Sequence, residues 1–125
     1  RHLTMDGPDV ELAPNDALSL GLAIHELATN AAKYGALSVE DGRVSIHWEI
    51  AGENLARIEW AESGGPEIDA QQKRKRGFGT ELIEKIVAHE LRNPVDLRFD
   101  PEGVRCTLLI PVRRRDGFTM RQGRT

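Results

Sequence analysis

The 125-residue sequence has one cysteine, Cys106, so no disulfide can form within the chain. Cys106 alternates with Val104, Leu108 and Ile110, a spacing that puts it on the apolar face of a strand and away from reactive chemistry. No apolar run approaches the roughly 20 residues that span a bilayer, and the N-terminus carries no signal-peptide pattern. The domain is therefore expected to be intracellular, in the cytoplasm, with no membrane contact. Positive charge is not in excess: 17 Lys and Arg stand against 20 Asp and Glu, a net −3, which argues against a general nucleic-acid binder. Internal repeats and low-complexity stretches are absent. An initial Met is missing too, and the expectation is a piece of a longer protein.

What is present suits one soluble domain with a real core: 39% hydrophobic and 30% charged residues. Charge is unevenly spread. Arg113, Arg114, Arg115, Arg121 and Arg124 crowd an aperiodic tail against a single Asp116, so the expected division is a folded domain over 1–112 and a flexible basic tail over 113–125.

Residues 2–12 read as short extended segments broken at the turn signal Asp6-Gly7-Pro8-Asp9. A helix is expected to start near Pro14-Asn15-Asp16, with Asn15 or Asp16 as N-cap, and to end at Gly35 after Tyr34. Val44, Ile46, Trp48 and Ile50 alternate, as do Ala56, Ile58 and Trp60 beyond the turn at 51–54, which predicts a hairpin; Glu62 continues the face of Ile58 and Trp60. A polar, Gly-rich and basic stretch over 63–79 shows no period. It leads into a second helix with Phe78, Leu82, Ile83, Ile86 and Val87 on its apolar side. Strands over 95–99 and 104–112 flank a turn at 100–103. The pattern predicts an α+β two-layer sandwich: a mixed, mostly antiparallel sheet of about five strands with helices on one face.

The first helix poses a question. Glu26, Asn30 and Lys33 are spaced i, i+4, i+7 and share one narrow stripe, beside an apolar stripe of Leu20, Ile24, Leu27 and Ala31. Leu22 and Ala23 flank the polar line, where an ordinary surface helix would offer a broad charged face. Buried polar groups need partners, and this stripe fits either internal protein partners or a ligand. Gly77-Phe78-Gly79-Thr80 opens the second helix, and glycines before a helix N-terminus suit either an ordinary helix start or a phosphate site. Neither the dinucleotide fingerprint nor the Walker pattern is present. His2, His47 and His89 have no catalytic setting and read as surface or packing residues.

"HELATNAAKYGALS" (25–38) resembles the N-box of histidine kinase ATP-binding domains, "WAESGG" (60–65) resembles their first glycine box, and "GFGTELIEK" (77–85) their second. The His before the N-box Glu (His25) and the Trp-x-Glu of Trp60 and Glu62 are marks of the HWE subfamily within the GHKL superfamily. The resemblance covers about residues 3–112 and implies a Bergerat-type ATP-binding fold with ATP and Mg²⁺ as ligands. It implies Asn30 as the magnesium ligand, and Glu26 as the residue that orients metal-bound water or the metal site. Lys33 would approach the phosphates, with Tyr34 beside the nucleotide. The adenine amino group would be accepted by Glu62, where most relatives have Asp; Gly64 matches the first glycine, and Pro66 stands where the second would be. Gly77, Phe78, Gly79 and Thr80 would line the triphosphate, and 66–76 would be the ATP lid. Lys73, Arg74, Lys75 and Arg76 make that lid either a solvated loop, a closure on phosphate or a face for an acidic partner.

The implied activity is transfer of the ATP γ-phosphate to a histidine in an upstream dimerisation and phosphoacceptor domain of the same protein, in a bacterial two-component system with a response regulator downstream. The alternatives on the same fold are an ATP-driven conformational module, as in chaperone, gyrase and mismatch-repair domains, and a serine kinase of the anti-sigma-factor type.

Overall fold

In the computed structural model, which describes residues 2–69 and 81–114, the alternating segments become one five-stranded sheet. Its strands are β1 (Leu3–Asp6), β3 (Arg43–Gly52), β4 (Leu55–Ser63), β5 (Val95–Asp100) and β6 (Gly103–Pro111), in the spatial order β1-β3-β4-β6-β5. The β3–β4 hairpin pairs Ile46 with Trp60 and Trp48 with Ile58. Its turn places Asn54 in the left-handed region at φ 60°, a conformation Asn tolerates. β4–β6 and β5–β6 are also antiparallel, with Trp60 opposite Cys106 and Leu97 on the far side of Cys106. Only β1 runs parallel, in register Leu3↔Val44 to Asp6↔His47. A parallel neighbour needs a long crossover, and α1 (Pro14–Tyr34) supplies it between β1 and β3.

The period of two puts Val44, Ile46, Ala56, Ile58, Trp60, Val104, Cys106, Leu108 and Ile110 on one face, and all are buried. The opposite face carries Arg43, His47, Glu49, Glu59, Arg98 and Arg105, as the antiparallel two-layer pattern requires. Burial pushes the Cys106 thiol up to about 12, so it is an inert packing residue.

Both helices cover the apolar face. α1 seats Ser19, Ala23, Leu27 and Ala31, spaced i, i+4, i+8, i+12. Each large aliphatic side chain buried this way stabilises by about 1.5–3 kcal/mol. The expected stripe is thus rotated by a fraction of a turn: Leu20 and Ile24 are only partly buried against the core. The cap also differs from expectation. Ala13 is the N-cap, with Pro14 at the first helical position, because Pro has a suitable φ and no N–H to satisfy there. The C-terminus ends as expected at Gly35, whose N–H donates to the Ala31 carbonyl, and a 3₁₀ turn (Ala36–Ser38) follows.

The second helix, α2, winds as a π-helix over Leu82–Val87 and as an α-helix over Ala88–Leu91. Ile83, Val87 and Leu91 are fully buried, whereas Ile86, expected on the apolar side, is 51% exposed. The segment from the Asp6–Asp9 turn seats on Trp48, whose indole N–H donates to the Pro8 carbonyl at 2.7 Å. β2 (Val10–Glu11) pairs with β7 (Arg113–Arg114), so ordered pairing runs through Arg114; residues 115–125 lie outside the described residues.

Candidate nucleotide site

α1 presents two different flanks on either side of its buried seam. At 100° per residue, Asn30, Glu26 and Lys33 lie roughly 60–120° to one side of Leu27, and Leu20, Ile24 and Ala28 lie roughly 20–100° to the other. The apolar flank overlies an apolar cavity of about 360 Å³, shared with Leu3 and Met5 of β1 and Ile46 and Trp48 of β3. The polar flank therefore faces away from β1, towards α2, which packs beside α1 over β5 and β6. Along it Glu26, Asn30 and Tyr34 are half-buried and Lys33 is exposed. The stripe is a partly solvated wall, more open than the buried line its sequence setting suggested.

The first glycine box meets this wall at its C-terminal end. Glu62 is the last inward-facing residue of β4 and is 5% exposed. Its Oε1 accepts the Ala36 backbone N–H at 3.1 Å, and its Oε2 accepts the Trp60 indole N–H at 3.0 Å. A buried carboxylate is tolerable because donors compensate it. The chain then turns through Gly64 at φ 74°; a Cβ there would lie 2.5 Å from the Asp41 carbonyl oxygen. Gly65 lies against Ala36, where a Cβ would come within 2.7 Å of its Cα. Beyond it, Ile68 is buried in the core and its N–H bonds the Pro101 carbonyl at 3.3 Å. The start of the expected lid is therefore anchored to the β5–β6 turn.

The fold thus brings Glu62 and Gly64 to the end of the helix that carries Glu26, Asn30, Lys33 and Tyr34. Gly77, Phe78, Gly79 and Thr80, with Lys73, Arg74, Lys75 and Arg76, lie outside the described residues. No group of three or more His, Cys, Asp or Glu converges on a metal position among the described residues. His25 is exposed on α1. Sequence reasoning missed the partners of Glu62. The available signal was that Trp60 and Glu62 share a strand face, and a buried indole N–H seeks an acceptor.

No family model matches the chain. Among curated proteins, it is 41% identical over 112 residues to blue-light-activated histidine kinase 1 of Erythrobacter litoralis, covering 89% of this chain and 31% of that protein. It is also 41% identical over 114 residues to the blue-light-activated histidine kinase of Brucella ovis, covering 89% of this chain and 23% of the other. The chain thus spans under a third of the length of these relatives. Among solved structures, the histidine kinase domain of an Erythrobacter litoralis blue-light-activated histidine kinase superposes with a TM-score of 0.71 at 16% identity, covering 88% of this chain and 51% of that one. The mycobacterial sensor histidine kinase MprB gives 0.64 at 20% identity, covering 90% and 84%. These structures share the α+β fold: a mixed five-stranded sheet under helices. With the N-box-like stretch over 25–38 and His25, Trp60 and Glu62 on this frame, the chain is similar over 89% of its length to a part of the blue-light-activated histidine kinases and shares the fold of histidine kinase domains.

Proposed function

We propose that this chain is the ATP-binding, phosphoryl-donating domain of a sensor histidine kinase, and that it acts on a histidine carried outside residues 1–125. The observation that carries the reading is the half-buried row of Glu26, Asn30 and Tyr34 leading to the Gly64 turn, in a chain 41% identical to histidine kinases. In this reading the Asn30 amide oxygen holds Mg²⁺, which when bound offsets charge on the phosphates. Glu26, one turn earlier, accepts hydrogen bonds from the waters of that site. Lys33, exposed at the helix end, places an ammonium near the phosphate tail, and Tyr34 lies beside the base. Glu62, whose carboxylate is held by the Ala36 N–H and the Trp60 indole N–H among its contacts, accepts the adenine amino group, since a carboxylate oxygen accepts more than one hydrogen bond. Gly77, Phe78, Gly79 and Thr80, which lie outside the described residues, are the residues assigned to line the triphosphate in this reading. Phosphoryl transfer then rests mainly on positioning and charge stabilisation, which a rigid sheet and helix provide.

Calorimetry of the folded chain with ATP should give heat that depends on Mg²⁺; no heat at saturating Mg·ATP overturns the reading. Labelled ATP with separately supplied histidine-bearing or serine-bearing protein partners then distinguishes the chemistry. Acid-labile label on the histidine partner is expected, and acid-stable label on serine alone would instead identify the anti-sigma-type kinase.

A further inference from the structure

We infer that Trp60 is a positioning residue for base recognition: its indole N–H and the Ala36 amide together fix the Glu62 carboxylate in the orientation that selects adenine. This rests on the proposed adenine contact of Glu62. Trp60 is 1% exposed and Glu62 5%, so neither side chain is held by solvent. The two are neighbours on one face of β4, and the indole donates to Oε2 at 3.0 Å. Oε1 accepts the Ala36 N–H at 3.1 Å, from the first residue after the α1 C-terminus and its Gly35 cap.

A Glu side chain has three rotatable bonds, and an unrestrained one would spread its acceptor over many positions. Two donors from different elements, one on the sheet and one at the helix end, hold both oxygens and thereby the carboxylate plane. The backbone at this junction has little room to adjust. A Cβ on Gly65 would meet Ala36, and one on Gly103 would come within 2.2 Å of the Glu62 carbonyl oxygen. Trp60 is itself fixed, opposite Ile46 on β3 and Cys106 on β6. The indole therefore carries the rigidity of the central sheet to the Glu62 carboxylate at the site's edge. A longer acid with a dedicated second donor does the positioning that a shorter acid would do by its own lack of reach.

The test compares ATP and GTP binding to the 125-residue chain and its Trp60→Phe variant, which keeps an aromatic ring and removes the N–H. The wild type should prefer ATP. Trp60→Phe should weaken ATP by about fivefold, the size of one lost hydrogen bond, and GTP by much less, so that the preference shrinks. Glu62→Gln, with one accepting oxygen for two donors, should shrink it too, and the double variant should add little to either single change. A Trp60→Phe protein that is folded and keeps the full ATP preference overturns the inference, as do equal losses for both nucleotides. If Trp60→Phe does not fold, the wild-type indole resonance decides. It should shift on saturation with ATP and shift less with GTP, with Trp48→Phe used for assignment; an unmoved resonance overturns the inference. A wild type that binds neither nucleotide sinks the function reading first, and is recognisable as that.

Discussion

The two flanks of α1 are made from one helix and point in opposite chemical directions. On one side Leu20, Ile24 and Ala28 overlie β1 and β3 above an apolar cavity; on the other Glu26, Asn30 and Lys33 stand beside α2 as a half-solvated wall. Between them Ala23, Leu27 and Ala31 are buried to 0–3% exposure and fasten the helix to the sheet. The seam sets stability, the apolar flank is imperfectly filled, and the polar flank can vary with little cost to the fold. A helix so divided can keep a polar wall in place without making the wall part of the core.

The largest effect should come from the seam. Leu27→Ala removes a side chain at 3% exposure and should cost about 3 kcal/mol, read from urea unfolding. Nucleotide affinity per folded molecule should stay near wild type, and a selective loss of binding would break the division of labour. On the polar flank, Asn30→Asp should weaken Mg·ATP by about tenfold or more, about 1.4 kcal/mol, while the melting temperature moves little because the site is only half-buried. A collapse of stability with unchanged affinity would make Asn30 a structural residue. On the apolar flank, Ala28→Leu extends into the cavity and should raise stability by about 1 kcal/mol with no change in ATP affinity. A destabilised variant would show that the cavity walls are packed too closely to accept it.

The smallest effect lies at the β1 edge, which bounds the apolar side. The His47 Nδ1–H donates to the exposed Asp6 carboxylate at 2.8 Å, and this bond raises the His47 pKa above 6.5. A raised folded-state pKa gives stabilisation that is fully present below the unfolded value near 6.5 and is lost as pH rises through the raised one. The wild type's margin in melting temperature over Asp6→Asn should therefore be widest between the carboxylate range and about pH 6.5, and shrink above it. A margin that does not change across this interval would mean the ion pair adds nothing to β1 docking.

How much of this was legible follows from what each signal reports. Alternation of Val44, Ile46, Ile58 and Trp60 gave the hairpin and its inner face, because a period of two maps directly onto a pleated strand. Apolar residues on α1 gave a helix, but Leu20 and Ala23 look alike to a periodicity argument. Only docking chose the seam through Ser19, Ala23, Leu27 and Ala31, where small residues let the helix approach the sheet. Ile86 reads as core by spacing and ends up exposed, on a stretch wound as a π-helix, whose period differs from the one assumed. Asn15 and Asp16 are good caps in isolation, yet Pro14 at the first helical position set the N-cap at Ala13, two or three residues earlier.

The sequence by itself determined the fold class, the shared stripe of Glu26, Asn30 and Lys33 on α1 and the place of Glu62 on the face of Ile58 and Trp60, because these rest on local spacing. Tertiary structure alone decided that β1 joins the sheet in parallel beside β3, that Arg113 and Arg114 pair back to Val10 and Glu11, and that Glu62 is shared between Trp60 and the Ala36 amide. Each of these is a contact between segments distant in sequence. Local propensity carries no term for it: the partner of a strand edge or of a buried carboxylate is whichever group the packed chain brings within hydrogen-bond reach.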